Sequence, residues 1–279
     1  MMIDNQRSRT WLLTIVVLCL IASHAVAEQP LGAKDTRLLL LTQGPDGHPA
    51  GSHEYRAGQR ILKKLLSTTP NLEVSILEAD DLWNDSADPL KAADGVVLCV
   101  AEGPKWLQAD PRRQEAFARF AERGGGLTAL HWAIGSRQKE PIAEFVQWFG
   151  ACHGGPDRKY KVLETSLHVA AHEHPVTQGL KTFKLRDEYY YQLKRAPDDR
   201  GLTSLLEAEI DGDRHMVCWG WNRPDGGRSF GFSGLHFHAN WAEPAYQRLV
   251  AQGVLWTVNR TPPKADFPAS LSEADLKLP

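Results

Sequence analysis

The sequence predicts an α/β fold: a three-layer sandwich with a mostly parallel central sheet and an antiparallel β insertion. Three observations predict it. Short continuous apolar runs, "RLLLLT" from Arg37 and "GVVLCV" from Gly95 among them, have the composition of strands buried on both faces. These runs alternate with stretches of helical spacing, the order of an open α/β sheet. Beyond Lys161 the pattern changes to strand-like runs joined by turn signals, with no further helix until Pro244.

The first strand is "RLLLLT", over 37–42. A loop rich in Gly, Pro and His follows, "QGPDGHPAGSHEY". Ala57, Ile61, Leu62, Leu65 and Leu66 then recur at helical spacing, and the helix must stop before Pro70. "EVSIL" from Glu73 and "DGVVLCV" from Asp94 are the next two strands. Asp110 and Pro111 supply an N-cap and a first-turn proline for a helix through Arg123, with Ala116, Phe117 and Phe120 on one face. Gly124, Gly125 and Gly126 end it. "LTAL" is a strand that terminates at His131-Trp132. The second half reads as five strands, "KVLETSLHVA", "FKLRDEYYYQL", "LTSLLEAEI", "HMVCWGW" and "RSFGFSG", punctuated by turns such as "APDD" and "RPDGG". A last helix turns Tyr246, Leu249, Val250 and Val254 inward and ends about Val258.

Around this domain, set at 36–260, the termini read differently. Arg7 and Arg9 precede the apolar run "WLLTIVVLCLIASHAVA", which ends in small residues at Ala25 and Ala27. That is the pattern of a secretory signal peptide over 1–27, cleaved after Ala27, so the mature chain is expected to be periplasmic or secreted and free of the membrane. Residues 28–35 are a linker, and the proline-rich stretch 261–279 is an extended or mobile tail. With 32 Lys and Arg against 34 Asp and Glu there is no basic stripe, which excludes a nucleic-acid partner. Three cysteines would remain after cleavage, an odd number. Cys99 reads as a buried small hydrophobe, and Cys152 and Cys218 either bridge or stay free.

In open α/β sheets ligands bind beyond the carboxyl ends of the strands. Three such ends carry unusual polar residues: His48, His53 and Glu54 after the first strand, Glu102 after the third, and His131 after "LTAL". In a parallel sheet His53, Glu102 and His131 converge. "RDEYYY" adds Asp187 and Glu188 beside tyrosines, a combination suited to sugar binding and general acid–base work, with Tyr189 as a stacking ring. In "SGLHFHANW" His236 and His238 lie two apart, the spacing that puts two imidazoles on one face of an extended chain. Neutral imidazoles bind Zn, Mn or Fe, so His131, His236 and His238 are the candidate ligands of a divalent metal ion. Direct substrate contact and a structural role are the alternatives. "GACHGG" reads as a glycine turn rather than a nucleophile, and the histidines of "HVAAHEHP" as solvated. No G-x-S-x-G elbow, P-loop or G-x-G-x-x-G fingerprint is present, which removes the usual serine hydrolase, kinase and dinucleotide readings.

The ordered set "GGGLTALHWA", "EHPVTQGL", "RDEYYY" and "GGRSFGFSGLHFHANWAEPAYQRLVAQGVLWTVNR" resembles the ThuA-like (trehalose utilisation) family, over roughly Thr36 to Arg260. The resemblance implies a class I glutamine amidotransferase-like fold of flavodoxin-like topology. The strand end that carries a nucleophilic cysteine in true amidotransferases carries His131 here, so glutaminase activity is not expected. The resemblance also implies carbohydrate catabolism, with an oxidised (3-keto) sugar or glycoside as substrate. The family motif needs only His236 of the pair, which lowers the weight of His238.

The expectation is therefore an exported sugar-processing protein with His131, Glu188 and His236 catalytic. Glu188 or His131 would be the general base. His53, Glu102, Trp132, Asp187, Tyr189 and Trp241 would contact a small carbohydrate. The alternatives are a metal-dependent hydrolase or isomerase, and a non-catalytic module presenting the same cleft to a glycan or a partner domain, with self-association left open.

Overall fold

The computed structural model describes residues 35–81, 83, 88–263 and 267–278. The signal-peptide reading and most of the linker lie outside them. No helix among the described residues is long and apolar enough to cross a membrane.

A nine-stranded sheet organises the chain. Its parallel block begins with β1 (Thr36–Thr42), α1 (Tyr55–Leu66), β2 (Leu72–Glu78) and β3 (Gly95–Cys99). It continues with α2 (Gly103–Gln108), α3 (Pro111–Glu122) and β4 (Gly126–Leu130). A 3-10 turn over His131–Ile134, the two-residue β5 (Gly135–Ser136), α4 (Ile142–Phe149) and β6 (Ala151–Gly154) follow. The second half of the chain supplies β7 (Lys159–Val169), β8 (Phe183–Tyr191), β9 (Lys194–Arg195), β10 (Leu202–Ile210), β11 (Asp213–Asn222) and β12 (Arg228–Phe232), of which β12 returns beside β4 and completes the parallel block. A 3-10 turn over His238–Ala242 leads to α5 (Pro244–Thr257).

The strand order is β2-β1-β3-β4-β12-β11-β10-β7-β8. From β2 to β12 the neighbours run parallel, and from β12 to β8 they alternate. A separate small sheet joins β5, β6 and β9. Side-chain alternation along the strands explains the three layers. Leu38 and Leu40 of β1, Val97 of β3, and Phe230 and Phe232 of β12 enter the core beneath α1 and α5. Leu41, Val96, Leu98, Leu127 and Ala129 face the opposite core, with Phe117, Phe120, Phe145 and Phe149 of the helices α3 and α4. Burial on both faces removes roughly 1.5–3 kcal/mol worth of apolar surface from water per large side chain, which is why these strands read as unbroken hydrophobic runs.

Local chemistry sets the boundaries. The Asp110 side chain accepts from the Arg112 N–H at 2.9 Å and starts α3, and Gly124, at φ +77°, ends it. Glu243 caps α5 through the Ala245 N–H at 3.0 Å. The helices α2 and α4 have no counterpart in the sequence reading, because six and eight residues hold too few turns for a periodicity to show. The "GACHGG" segment is the strand β6 flanked by two left-handed glycines, not a simple turn. Cys152 and Cys218 are both buried and unpaired. The tail is irregular but tied down: Phe267 and Ala269 are buried, and the Ala269 N–H donates to the Leu65 carbonyl at 3.1 Å. An apolar anchor at Phe267 outweighs the prolines around it.

Candidate metal centre

Three histidines reach one point from three strand ends of the parallel block. His53 lies in the loop after β1, His131 in the turn after β4, and His236 in the loop after β12. His53 Nε2 and His236 Nδ1 are 3.0 Å apart, and His131 Nε2 lies 3.1 Å from each. Glu188 of β8 adds Oε1 at 3.7 Å from His236 and 3.9 Å from His131. All four ligand atoms fall within 4.8 Å of one another.

The backbone is bent to achieve this. His53 has φ +53°, His131 φ +48°, and Leu235, immediately before His236, φ +78°. Left-handed non-glycine residues cost about 1–3 kcal/mol each and persist where the surrounding structure imposes them. The loops then brace each other. The His53 N–H donates to the His236 carbonyl at 3.1 Å, and the His238 N–H to the Gly51 carbonyl at 2.8 Å.

Hydrogen bonds outside the cluster fix the tautomers. The His53 Nδ1–H donates to Asp46 Oδ2 at 2.9 Å, and the His131 Nδ1–H to the Ser233 carbonyl at 2.7 Å. Both rings therefore turn bare Nε2 lone pairs toward each other. Burial pushes the His131 ring well below the ordinary imidazole range, and its neighbours His53 and His236 push it further. Burial also lowers His53 and brings His236 down to about 4. A positive centre between them would satisfy these lone pairs together. Nitrogens bound to one ion at about 2.1 Å lie about 3.0 Å apart at right angles and about 3.4 Å apart at tetrahedral angles. The donor set and its spacing fit a first-row divalent ion, and the bonds from Asp46 and Ser233 are the outer contacts such ligands make.

Two carboxylates hold the frame. Burial alone would raise Asp46, but bonds from His53, Tyr55 and His48 outweigh it and keep the carboxyl well below its usual range. Its Oδ1 accepts from His48 Nδ1 at 2.8 Å, and Tyr55 donates to Oδ2 at 2.6 Å. Asp187 is 0% exposed and accepts from the N–H groups of Glu188 at 2.9 Å, Leu235 at 2.7 Å and His236 at 3.1 Å, and from the Tyr246 hydroxyl at 3.1 Å. Burial raises it to about 6 against these bonds. Gly234 makes room for that arrangement, since a Cβ there would meet the Tyr246 hydroxyl at 2.7 Å.

Of the expected site residues, His53, His131, Glu188 and His236 come together, Trp132 lines the cleft beside them, and the others stand elsewhere. Asp187 is sealed beneath the His236 loop and does not reach a ligand. Tyr189 is buried on the same side, its hydroxyl 2.9 Å from that of Tyr246, so it offers no stacking face. Trp241 is 3% exposed and packs on α1 beside Gly58. Glu102 stands at the N-terminal end of α2 without a side-chain cap bond, and accepts from the Arg137 backbone N–H at 2.8 Å and from its guanidinium at 2.6 Å. His238 is not a ligand candidate: the chain leaves the extended form at this residue, so the two-residue spacing no longer aligns the rings, and His238 Nε2 donates to the Leu276 carbonyl at 2.9 Å. Trp132 does line the cleft beside Glu188. His131 is a poor general base, because one nitrogen is committed to Ser233 and the other to the cluster.

Sequence reasoning missed Tyr190 and the bracing role of Asp46. Tyr190 sits between His131 and His153, with ring centroids at 4.8 and 4.0 Å, and its hydroxyl is 3.2 Å from His131 Nε2. Strand parity could have found it, since Glu188 and Tyr190 share one face of β8 while Asp187 and Tyr189 share the other. Cys99 lies near His131, and burial pushes its thiol up to about 12, which disfavours the thiolate.

A family model described as trehalose utilisation, ThuA, matches residues 45–257. A ThuA-like protein from Parabacteroides merdae ATCC 43184 has a similar structure, at TM-score 0.63 and 17% identity, over 88% of this chain and 100% of its own. A ThuA-like protein from Bacteroides uniformis ATCC 8492 gives TM-score 0.63 and 16% identity, over 87% and 98%. A protein described as cytoplasmic from Salmonella typhimurium LT2 gives 0.56 and 16%, over 80% and 99%. At these identities the likeness speaks to the fold. No curated protein matches the sequence. The family match runs from the histidine loop to the closing helix and takes in all four converging residues, so the chain belongs to the ThuA family of trehalose utilisation.

Proposed function

We propose that the protein is an exported, divalent-cation-dependent enzyme of carbohydrate catabolism, a hydrolase or isomerase acting on a sugar or 3-keto glycoside. The observation that carries this reading is the convergence of three imidazole nitrogens and one carboxylate oxygen, two of the rings with their tautomers fixed. His53, His131 and His236 would hold a Zn, Mn or Fe ion, with Glu188 as the fourth group. Such an ion polarises a carbonyl or hydroxyl oxygen of a bound sugar.

The chain's own residues do the rest. Tyr190 and Trp132 wall the cleft and keep His131 in place. Burial raises Glu188 above the ordinary carboxyl range, which favours proton uptake by this carboxylate when it is not engaged by the cation. The His48 ring lies tilted against His53, with centroids 3.7 Å apart, and has a 31% exposed side chain. With Nδ1 given to Asp46, its Nε2 is the free ring nitrogen at the cleft.

Turnover of disaccharides and 3-keto glycosides by the purified protein tests the reading. Chelation should abolish it, added Mn or Zn should restore it, and His131→Ala with His236→Ala should reduce it by about a thousandfold or more. Turnover unchanged by the double substitution would sink the proposal.

A further inference from the structure

Beyond the four converging atoms the cleft continues along a wall of Trp132, Arg137, His153, Arg158 and Tyr160. Its chemistry differs from that of the cluster. His153 is 2% exposed, yet its Nδ1 has no hydrogen-bond partner. The Arg158 guanidinium makes one contact, to the Gly155 carbonyl at 3.3 Å, and has no carboxylate partner among the described residues. Arg137 is already engaged by Glu102, with its guanidinium over the Trp132 ring at 5.2 Å. Tyr160 is 54% exposed, a large aromatic on an open surface, and stands edge-on to His153 at 6.2 Å. Glu188 is the one carboxylate lining this cleft among the described residues, and its charge faces the cluster.

A buried polar ring without a partner is costly, and so is a half-buried guanidinium without a counter-charge. An anionic ligand in the cleft relieves the guanidinium. We propose that this wall is a subsite for a carboxylated sugar, a uronate or aldonate. Arg158 takes the carboxylate, His153 adds a hydrogen bond through Nε2, since its Nδ1 is sealed from the cleft, and the face of Tyr160 receives the sugar ring. A carboxylate suits the wall better than a phosphate. The planar guanidinium fork matches two carboxylate oxygens, whereas a phosphate dianion needs more than one unmatched cation, and Arg137 is spent on Glu102. The inference rests on reading the centre as a carbohydrate site, and it deepens that reading by naming the substrate class.

Calorimetric titration of the cation-loaded protein with D-glucuronate, D-gluconate, D-glucose and D-glucose 6-phosphate tests it, alongside Arg158→Gln and Arg158→Lys. The carboxylates should bind at least about tenfold more tightly than glucose and than the phosphate. Arg158→Gln should erase that preference at unchanged metal content, and Arg158→Lys should keep part of it. A preference that survives Arg158→Gln overturns the proposal, because the carboxylate is then held by the cation alone. Tighter binding of the phosphate, equal binding of glucose, or no binding of any probe overturns it as well. Metal content, measured separately, reports on the centre itself, so a metal-free protein with an Arg158-dependent carboxylate preference would refute the centre and spare the subsite.

Discussion

The parallel block of the sheet delivers its site residues beyond its strand ends, whereas the antiparallel block delivers its own from within a strand. His53, His131 and His236 follow β1, β4 and β12, each on or beside a left-handed residue. Glu188 and Tyr190 belong to β8, where ordinary pleating aims them at the cleft and sends Asp187 and Tyr189 the other way. Loop delivery needs bracing that strand delivery does not. Asp187 supplies it for one loop and Asp46 for another, so one carboxylate stands behind each side of the cluster.

This contrast predicts unequal effects of substitution. The largest belongs to Asp187→Asn, since Asp187 holds the Leu235 and His236 N–H groups of the histidine loop against β8. An amide in that buried place cannot accept from every N–H now bonded to the carboxylate. It should cost about 2–4 kcal/mol of stability and roughly a hundredfold in metal affinity. Thermal unfolding and a chelator competition read the two, and unchanged metal affinity would remove Asp187 from the account. Asp46→Asn comes next, at about 10–100-fold in metal affinity with little change in stability, because the carboxylate is braced near the surface. If Asp46→Asn proved as destabilising as Asp187→Asn, the two sides of the centre would not differ as described.

The smallest effect concerns the wall. Burial first, then Arg158 and Lys194, lower His153 to about 3. In the unfolded chain the ring takes up its proton near pH 6.5, and in the fold it stays neutral until about pH 3. Stability is therefore intact above pH 6.5 and is lost as pH falls through that window. Unfolding by denaturant in the presence of a chelator should show His153→Phe losing roughly 2 kcal/mol less than the parent protein between pH 7 and pH 5. Identical pH dependence of the two proteins would show that His153 is solvated, contrary to its place between Tyr190 and Trp132.

The same contrast governs what could be read from the sequence. The parallel strands, α1, α3 and α5 were legible, because apolar runs and caps such as Asp110-Pro111 are local signals. His53 and His131 were legible as candidates from their places at strand ends, Glu188 from the carboxylates beside tyrosines in "RDEYYY", and His236 from "SGLHFHANW". Their closure was not, because His53 and His236 are 183 residues apart in the chain. His238 was misjudged for a related reason, since the pairing of two histidines assumed an extended segment where the chain turns into a 3-10 helix. Tyr189 and Trp241 looked like sugar platforms by residue type alone, and packing against Tyr246 and α1 buries both. Tyr160, the exposed ring at the cleft, gave no sequence signal beyond a tyrosine ahead of a strand-like run.

The most direct test of the centre is elemental analysis of the protein purified without chelator, compared with His131→Ala, His236→Ala and Glu188→Gln. The account predicts about one first-row divalent ion per chain, lost in both histidine variants and held more weakly in Glu188→Gln. A folded parent protein with no stoichiometric metal, and no uptake from added Zn, Mn or Fe, would contradict it.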